Sequence, residues 1–140
     1  MFKIKYLLPL LLIISPLSAC QKQDSVLNNG TFQGVSAKDD EGAFAKVKLK
    51  IVKHQIQSVD FQTIQKDGSI KDASYGKRNG EIHDQVFYNK AQLAVKAMDI
   101  YREQLEQKKS LKSVEVISGA TISYNQFKEA VNNALEKAAK

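Results

Sequence analysis

The residues best placed to do chemistry in this sequence are Ser118 and Thr121, two hydroxyl side chains that flank Gly119-Ala120. They immediately precede a stretch with helical periodicity, and the backbone N–H groups at a helix N-terminus can bind an anion such as a phosphate. Gly119 and Ala120 carry little or no side chain, which allows a large ligand to approach the backbone. A turn that only connects two elements has the same composition, so a phosphate site and a structural turn are the two alternatives.

A strand is predicted before this turn, and a capped helix is predicted after it. Residues 114–117 have the apolar, β-branched composition of a short strand. Ser123, followed three residues later by Gln126, matches a capping box, and Ile122 with Phe127 matches the accompanying hydrophobic staple. This pattern predicts that the helix begins after the capping serine and that the threonine of the turn lies outside it, two residues before the cap.

Three strands and a further helix are predicted upstream of this junction. Residues 30–35 predict a first strand, and residues 43–51 predict a second one, because apolar side chains alternate there with lysines. Residues 56–64 predict a third strand. Residues 70–85 contain several Gly and Asn breakers and no clear period, so we expect a long loop there. Residues 87–109 have helical periodicity.

Both predicted helices have one apolar stripe that we expect to face the core. The stripe of the first helix consists of Ala91, Ala94, Val95, Met98, Tyr101 and Leu105. The stripe of the second consists of Phe127, Ala130, Val131, Ala134, Leu135 and Ala138. The pattern therefore predicts an α+β fold in which a small antiparallel sheet packs against two main α-helices in a single domain.

The N-terminus has the pattern of an export signal. A short basic start is followed by an apolar stretch at residues 7–17, which as a helix would span only about 16 Å of a hydrocarbon core of about 30 Å. A secretory signal peptide is therefore favoured over a transmembrane helix. Leu17-Ser18-Ala19-Cys20 resembles the bacterial lipobox. This resemblance implies cleavage before Cys20 and attachment of lipid to it; the alternative is a plain signal peptide, cleaved after Ala19, that leaves Cys20 with a free thiol.

Composition excludes several classes of function once this segment is set aside. The full chain has 21 basic and 15 acidic residues, a formal charge of +6. Residues 1–19 contain Lys3 and Lys5 and no acid, so the mature chain carries only +4. Cys20 is the sole cysteine, which excludes intrachain disulfides, thiol redox chemistry and cysteine-ligated metal sites in the domain. Export argues against a nucleic-acid partner.

Three lysines on the second predicted strand give the sheet a basic outer face. Lys46, Lys48 and Lys50 alternate with the apolar residues of that strand. They form either an anion-binding patch or, as for most exposed strand faces, a solvated surface.

Residues 114–121 resemble the flavinylation motif of the FMN-binding domain family. That family includes the flavin subunits of the sodium-translocating NADH:quinone reductase and Rnf complexes, and extracellular lipoproteins of flavin-based electron transfer. Gly30-Thr31-Phe32-Gln33-Gly34 is also similar to the family's opening strand. Glu115 stands where the family usually has Asp, and it keeps the carboxylate on a side chain one methylene longer. Asn29 replaces the usual opening Asp.

The resemblance implies that FMN is the cofactor and that Thr121 carries it. In the family, a flavin transferase takes FMN from FAD and joins it through its phosphate to the last Thr of the motif. Ser118, Gly119 and Ala120 would contact the phosphate or the ribityl chain, and Glu115 belongs to the recognised motif. The implied role is that of an electron carrier rather than a stand-alone catalyst.

Several other side chains have alternative interpretations. Tyr75, Phe87 and Tyr88 are candidates for stacking on the flavin ring, with ordinary packing as the alternative. His54 and His83 have no metal-ligand spacing, so we assign neither to a metal site nor to proton transfer.

The expected organisation is a signal peptide at 1–19, a lipidated cysteine with a flexible tether at 20–29, and an FMN-binding domain at 30–140. The expected partners are the flavin transferase, membrane lipid through Cys20, and redox proteins or the quinone pool. Gln21 is not acidic, which favours the outer membrane in a diderm; a monoderm would hold the protein on the outer face of its membrane. The alternatives are a lipoprotein that binds FMN non-covalently and a structural or adhesive surface lipoprotein with a degenerate motif.

Overall fold

The computed structural model describes residues 25–140, which form one antiparallel sheet and two long helices. The elements are β1 (Gly30–Val35), β2 (Phe44–Val52), β3 (Gln55–Ile64), α1 (Gln85–Lys108) and α2 (Thr121–Ala138), with a 3₁₀ turn at Leu111–Ser113. The predicted α+β class, with a small antiparallel sheet packed against two main helices, is confirmed. The predicted signal peptide and Cys20 lie outside the described residues.

The sheet has the strand order β1-β2-β3, and both helices cover the same face of it. Alternate residues of β2 are buried under the helices, while its lysines point to solvent on the opposite face, as the alternation predicts. A bulge between Lys50 and Ile51 shifts the register of β2 with β3. Because the bulge displaces the alternation by one residue, Ile56 and Val59 both face the core although they are three positions apart.

Gly34 on β1 allows α2 to lie directly against the sheet. A Cβ atom at this position would lie 2.6 Å from the amide nitrogen of Ala134 and well inside van der Waals distance of the carbonyl oxygen of Ala130. No side chain fits in that space, so the absence of a Cβ atom sets how closely the helix approaches the sheet.

Aromatic rings connect the two helices to β3. The ring centroids of Phe61 and Phe127 lie 4.8 Å apart, and those of Tyr101 and Phe127 lie 6.0 Å apart. Tyr101 also makes an edge-on contact with Tyr124 at 5.4 Å. Offset and edge-on geometries of this kind are the favourable ones for aromatic pairs. The ring of Tyr101, which extends from α1, is therefore held in place by two aromatic rings of α2.

Three local predictions differ from the structure. Residues 114–117 are not a strand: they follow the 3₁₀ turn and lie along α1, where side chains of the helix take the place of a strand partner. The second helix begins at Thr121, earlier than predicted. Ala97 is buried in α1, whereas Ala94 and Val95 of the predicted stripe are only half-buried.

The segment that leads into β1 contacts the domain. The N–H group of Asn28 donates to the carbonyl of Ala138 at 2.8 Å, and the side chain of Asn29 accepts from the N–H group of His54 at 2.9 Å. The ring of His54 is also within hydrogen-bond distance, 2.7 Å, of the carbonyl of Leu27. Residues 27–29 are thus held against the β2–β3 turn and the end of α2. Neither α1 nor α2 contains an apolar stretch long enough to span a bilayer.

Candidate functional site

The segment before α2 is held on α1 by hydrogen bonds from three of its residues. The N–H group of Glu115 donates to Oε1 of Gln104 at 2.7 Å, and the N–H group of Ile117 donates to the Tyr101 hydroxyl at 2.9 Å. The same hydroxyl donates to the carbonyl of Ala120 at 3.3 Å. Backbone groups that would have paired with a neighbouring strand are therefore satisfied by side chains, which is why no strand forms.

A tight turn presents the Ser118 and Gly119 positions to solvent. The N–H group of Ala120 donates to the carbonyl of Ile117 at 3.0 Å and closes the turn. Gly119 has a φ of +84°, in the left-handed region that glycine adopts without steric cost. Both Ser118 and Gly119 are exposed, whereas Ala120 is buried. The turn therefore leaves a hydroxyl and unobstructed backbone at the surface beside the start of α2.

Thr121 is the first residue of α2, and its side chain is exposed. The residue before it, Ala120, has no side-chain group that could cap the helix. Within residues 25–140, the N–H groups of Thr121, Ile122 and Ser123 have no hydrogen-bond acceptor. Three open donors and the positive end of an 18-residue helix therefore lie beside the threonine hydroxyl. This arrangement can stabilise a phosphate group.

The predicted capping box is absent, because the fold uses its side chains elsewhere. Ser123 is only 3% exposed and lies in the interior, so its hydroxyl does not cap the helix. Gln126 is also buried; its Nε2 donates to the carbonyl of Ala43 at 3.0 Å and to the carboxylate of Asp39 at 3.2 Å. The predicted staple is wrong as well, since Ile122 is 65% exposed. Local sequence favoured a closed helix start, but tertiary contacts leave it open.

Glu115, the acidic residue of the motif, extends into solvent beside the C-terminal end of α1. Its carboxylate lies 3.3 Å from Nζ of Lys108, and its side chain is 84% exposed. The same amine donates to the carbonyl of Ser113 at 2.8 Å. An exposed ion pair of this kind contributes little to stability. Glu115 is therefore oriented by α1 while its carboxylate stays accessible to another protein.

Large apolar side chains border the turn and the helix start. Leu93 of α1 lies next to Gly119: a Cβ atom added to Gly119 would be 3.5 Å from Cδ2 of Leu93. Leu93, Val116 and Ile122 are each close to half exposed or more. Exposed apolar side chains therefore lie close to the turn and to the start of α2.

The aromatic candidates lie in the long loop and at the start of α1. Nζ of Lys71 lies 4.6 Å from the ring centroid of Tyr75, and Nζ of Lys77 lies 5.7 Å from that of Tyr88. Burial raises the pKa of Tyr75 and lowers the pKa of Lys71. Phe87 is exposed. Each tyrosine thus has a lysine of the long loop as its partner, and neither tyrosine contacts Thr121 within residues 25–140.

Tyr101, Gln104 and Lys108 are site-forming residues that sequence patterns did not predict. Tyr101 belongs to the predicted apolar stripe of α1, although its hydroxyl and its ring serve different purposes in the fold. The available signal was the spacing of three and four residues, which places the three polar groups on one face of α1. Residues 25–140 contain no group of His, Cys, Asp and Glu side chains able to hold a metal ion.

Comparison with known proteins identifies the family. The sequence-family model of the FMN-binding domain matches residues 25–136, so this chain belongs to the FMN-binding domain family. Membership indicates FMN as its cofactor. No curated protein matches the chain.

Two solved structures have a similar fold. A crystal structure of a Clostridium perfringens protein is 24% identical, with a TM-score of 0.60, over 80% of this chain and 88% of that one. A solution structure of a Clostridium thermocellum protein is 21% identical, with a TM-score of 0.50, over 80% of this chain and 92% of that one. At these identities the similarity concerns the fold alone.

The residues at the start of α2 fit the phosphate end of FMN. They offer three N–H donors, the hydroxyls of Ser118 and Thr121, and a backbone unobstructed at Gly119. No carboxylate of residues 25–140 accepts a hydrogen bond from those donors, so an incoming phosphate has no anion to displace. The chemistry of the donors therefore matches the charge of the group.

Proposed function

We propose that this protein is a membrane-anchored, extracytoplasmic electron carrier whose FMN is joined covalently to Thr121. The observation that carries the proposal is the exposed threonine hydroxyl on the first residue of α2, beside three N–H groups that have no acceptor among residues 25–140. Family membership supplies the cofactor. The geometry supports a phosphate at this position, and the hydroxyl is the group that can form an ester with it.

The proposed attachment is a transfer of FMN from FAD by a separate flavin transferase. Oγ1 of Thr121 forms a bond to the phosphorus of the FMN half of FAD, the P–O bond of the pyrophosphate breaks, and AMP leaves. The hydroxyl proton passes to a base on the transferase. The phosphodiester that results keeps one negative charge, which the N–H groups and dipole of α2 stabilise. Ser118 and Gly119 line the approach to that phosphate, whereas Ala120 is buried.

The role of the protein is then to hold the cofactor and to keep it from being lost. When bound, FMN supplies the redox chemistry, and the protein contributes attachment, orientation and electrostatics. Thr121 retains the flavin by a covalent bond, and the apolar side chains of Leu93 and Ile122 border the place where it is attached. A covalent bond prevents loss by dilution outside the cell.

Anchoring and partners complete the proposal. The lipobox resemblance of residues 17–20 supports removal of the signal peptide and attachment of lipid to Cys20. Cys20 lies five residues before Ser25, the first residue that the structure describes, so the domain would remain within about 18 Å of the membrane surface. Redox proteins or the quinone pool are the proposed electron partners, at the outer membrane of a diderm or on the outer face of a monoderm membrane.

Denaturation of protein co-expressed with an active flavin transferase tests the covalent attachment. We expect yellow colour and an FMN mass increment on the peptide that contains Thr121, both persisting after denaturation. Thr121→Val should abolish both and change the free energy of unfolding by less than about 0.5 kcal/mol, because the residue is exposed. Ser118→Ala is the matched control, since it removes the other hydroxyl of the turn and should leave the mass increment in place.

Three outcomes separate this proposal from its alternatives. A native yellow protein that loses its flavin on denaturation would support non-covalent FMN binding at the same helix start. A colourless protein, with the transferase demonstrably active on another carrier, would contradict the covalent proposal and favour a structural or adhesive lipoprotein. If Glu115→Asp then restored labelling, the longer acidic side chain would be the cause of the failure.

A further inference from the structure

Three polar residues on one face of α1 bind the segment that carries the acceptor threonine. Tyr101, Gln104 and Lys108 are spaced three and four residues apart and therefore lie in a row along the helix. Lys108 donates to the carbonyl of Ser113, and Gln104 accepts from the N–H group of Glu115. Tyr101 binds the backbone of Ile117 and Ala120. We call residues 113–121 the acceptor segment; its path follows this row of side chains.

The Tyr101 hydroxyl binds both ends of the turn within the acceptor segment. It accepts from the N–H group of Ile117 at 2.9 Å and donates to the carbonyl of Ala120 at 3.3 Å. That carbonyl also accepts from the N–H group of Tyr124 at 3.0 Å, which is the first hydrogen bond that leads into α2. One hydroxyl therefore connects the start of the turn, its end and the first turn of the helix.

The position of that hydroxyl is fixed by packing. The side chain of Tyr101 is fully buried, and its ring contacts the rings of Tyr124 and Phe127. A buried hydroxyl held in this way favours one conformation of the turn, because any other conformation loses its hydrogen bonds to both Ile117 and Ala120. The acceptor segment is thus ordered before any other protein binds it.

We infer that Tyr101 is a positioning residue for flavin attachment: its hydroxyl holds residues 117–121 in the conformation that the flavin transferase binds. This inference rests on the proposed attachment of FMN to Thr121. Ordering a flexible segment on binding costs conformational free energy, and a segment already ordered by its own domain avoids that cost. Tyr101 touches neither the phosphate nor the reacting oxygen, so it acts through the backbone that carries Thr121.

The variant Tyr101→Phe tests the inference, because it removes the hydroxyl and keeps the ring. We expect the KM of the transferase for this protein to rise about tenfold with kcat unchanged, because the hydrogen bonds to Ile117 and Ala120 are both lost and the N–H group of Ile117 is left without its partner. Tyr124→Phe is the matched control. Its hydroxyl donates only to the carbonyl of Val114 at 3.4 Å, so its KM should change less than about twofold.

Amide hydrogen exchange separates positioning from a general loss of stability. In Tyr101→Phe we expect faster exchange at Ile117 and its neighbours, with exchange in β2 unchanged. A structural role alone would lower the melting temperature and raise exchange throughout the sheet, without a change in KM below the melting transition. The variant Gln104→Ala, which frees the N–H group of Glu115, provides a second measurement if Tyr101→Phe does not fold; its KM should rise about threefold.

The outcomes distinguish this inference from the function on which it rests. If wild-type protein accepts no FMN, the proposed function has failed. If wild-type protein is labelled and the folded Tyr101→Phe and Gln104→Ala variants are labelled with wild-type KM, positioning by α1 is contradicted while covalent attachment stands. A raised KM with exchange changes confined to residues 113–121 supports the inference.

Discussion

The two helices of this domain begin in opposite ways. α1 begins after Asp84, whose carboxylate accepts a hydrogen bond from the N–H group of Phe87 at 2.9 Å. α2 begins after Ala120, which has no capping side chain, and its first three N–H groups have no acceptor within residues 25–140. The aspartate cap accepts from one of the first three N–H groups of α1 and adds a negative charge beside them, so an anion is disfavoured there. Only α2 is open to a phosphate.

The segments that lead into the two helices are also held in different ways, one by local contacts and the other by a neighbouring helix. The loop before α1 contains Asp67 and Asp72, whose carboxylates accept from the N–H groups of Ser69 at 3.0 Å and Ser74 at 2.8 Å. These are local contacts, two residues apart along the chain. The acceptor segment before α2 is held instead by side chains of another helix. At α2, side chains of another helix thus supply the order that local contacts supply before α1.

The largest expected effect comes from moving α2 itself. Gly34→Ala would place a Cβ atom against the backbone of Ala130 and Ala134, where a rigid helix cannot yield locally. We expect the free energy of unfolding to fall by about 3 kcal/mol or more, as for severe overpacking. Urea denaturation followed by circular dichroism measures this change. The start of α2 would move with the helix, so flavin attachment should fall as well.

Gly68→Ala is the control for this substitution. An added Cβ atom meets nothing within 4 Å there, and the only penalty is the positive φ of +86°. We expect a loss of about 1 kcal/mol with flavin attachment unchanged. Equal losses for the two variants would contradict the role of Gly34 in setting the position of α2.

Removal of the α1 cap should have a smaller effect and should leave the α2 site intact. Asp84→Ala deletes the acceptor for the N–H group of Phe87, and we expect a loss of about 1 kcal/mol in the free energy of unfolding. Asp84→Asn keeps a capping oxygen and should lose much less. Mass spectrometry should find the same fraction of protein carrying FMN in all three proteins. Reduced labelling in Asp84→Ala at a temperature where it is folded would contradict the independence of the two helix starts.

The smallest expected effect is a pKa change in the loop before α1. The side-chain and backbone hydrogen bonds from Ser74 lower the pKa of Asp72 below its ordinary value. A carboxyl whose pKa is lower in the folded state stabilises the fold above its unfolded pKa, and this contribution is lost as the pH falls through the folded value. Carboxyl chemical-shift titration of Ser74→Ala should give a raised pKa for Asp72. The same titration of Ser69→Ala should leave Asp72 unchanged and raise the pKa of Asp67, which has the equivalent partner.

The elements of the fold could be predicted from sequence wherever one face of an element is buried. The alternation along β2 and the apolar stripes of both helices come from their own repeats of two and 3.6 residues, so a short window contains the whole signal. The type of each of these elements was predicted correctly. Their ends were less accurate, as at α1, which covers residues 85–108 rather than 87–109.

Residues 114–117 and the predicted cap at Ser123 mark where that reasoning failed. The segment has a strand-like composition, but its N–H groups bind α1 side chains as far as 16 residues away along the chain, at Tyr101. Ser123 and Gln126 have the spacing of a capping box, but Gln126 binds Asp39, 87 residues away. Contacts at such separations are set by packing, and no local window contains them.

The sequence by itself determined the α+β class, the basic outer face of the sheet, and the motif that placed Thr121 beside a helix start. Only the tertiary structure decided that Thr121 is the first residue of α2, that the donors around it are open, and that Tyr101 holds the turn before it. The physical reason is that the packing of α2 against the sheet carries Ser123 and Gln126 into the interior, where they do not form a local cap. The helix start therefore remains open, and its order comes from α1.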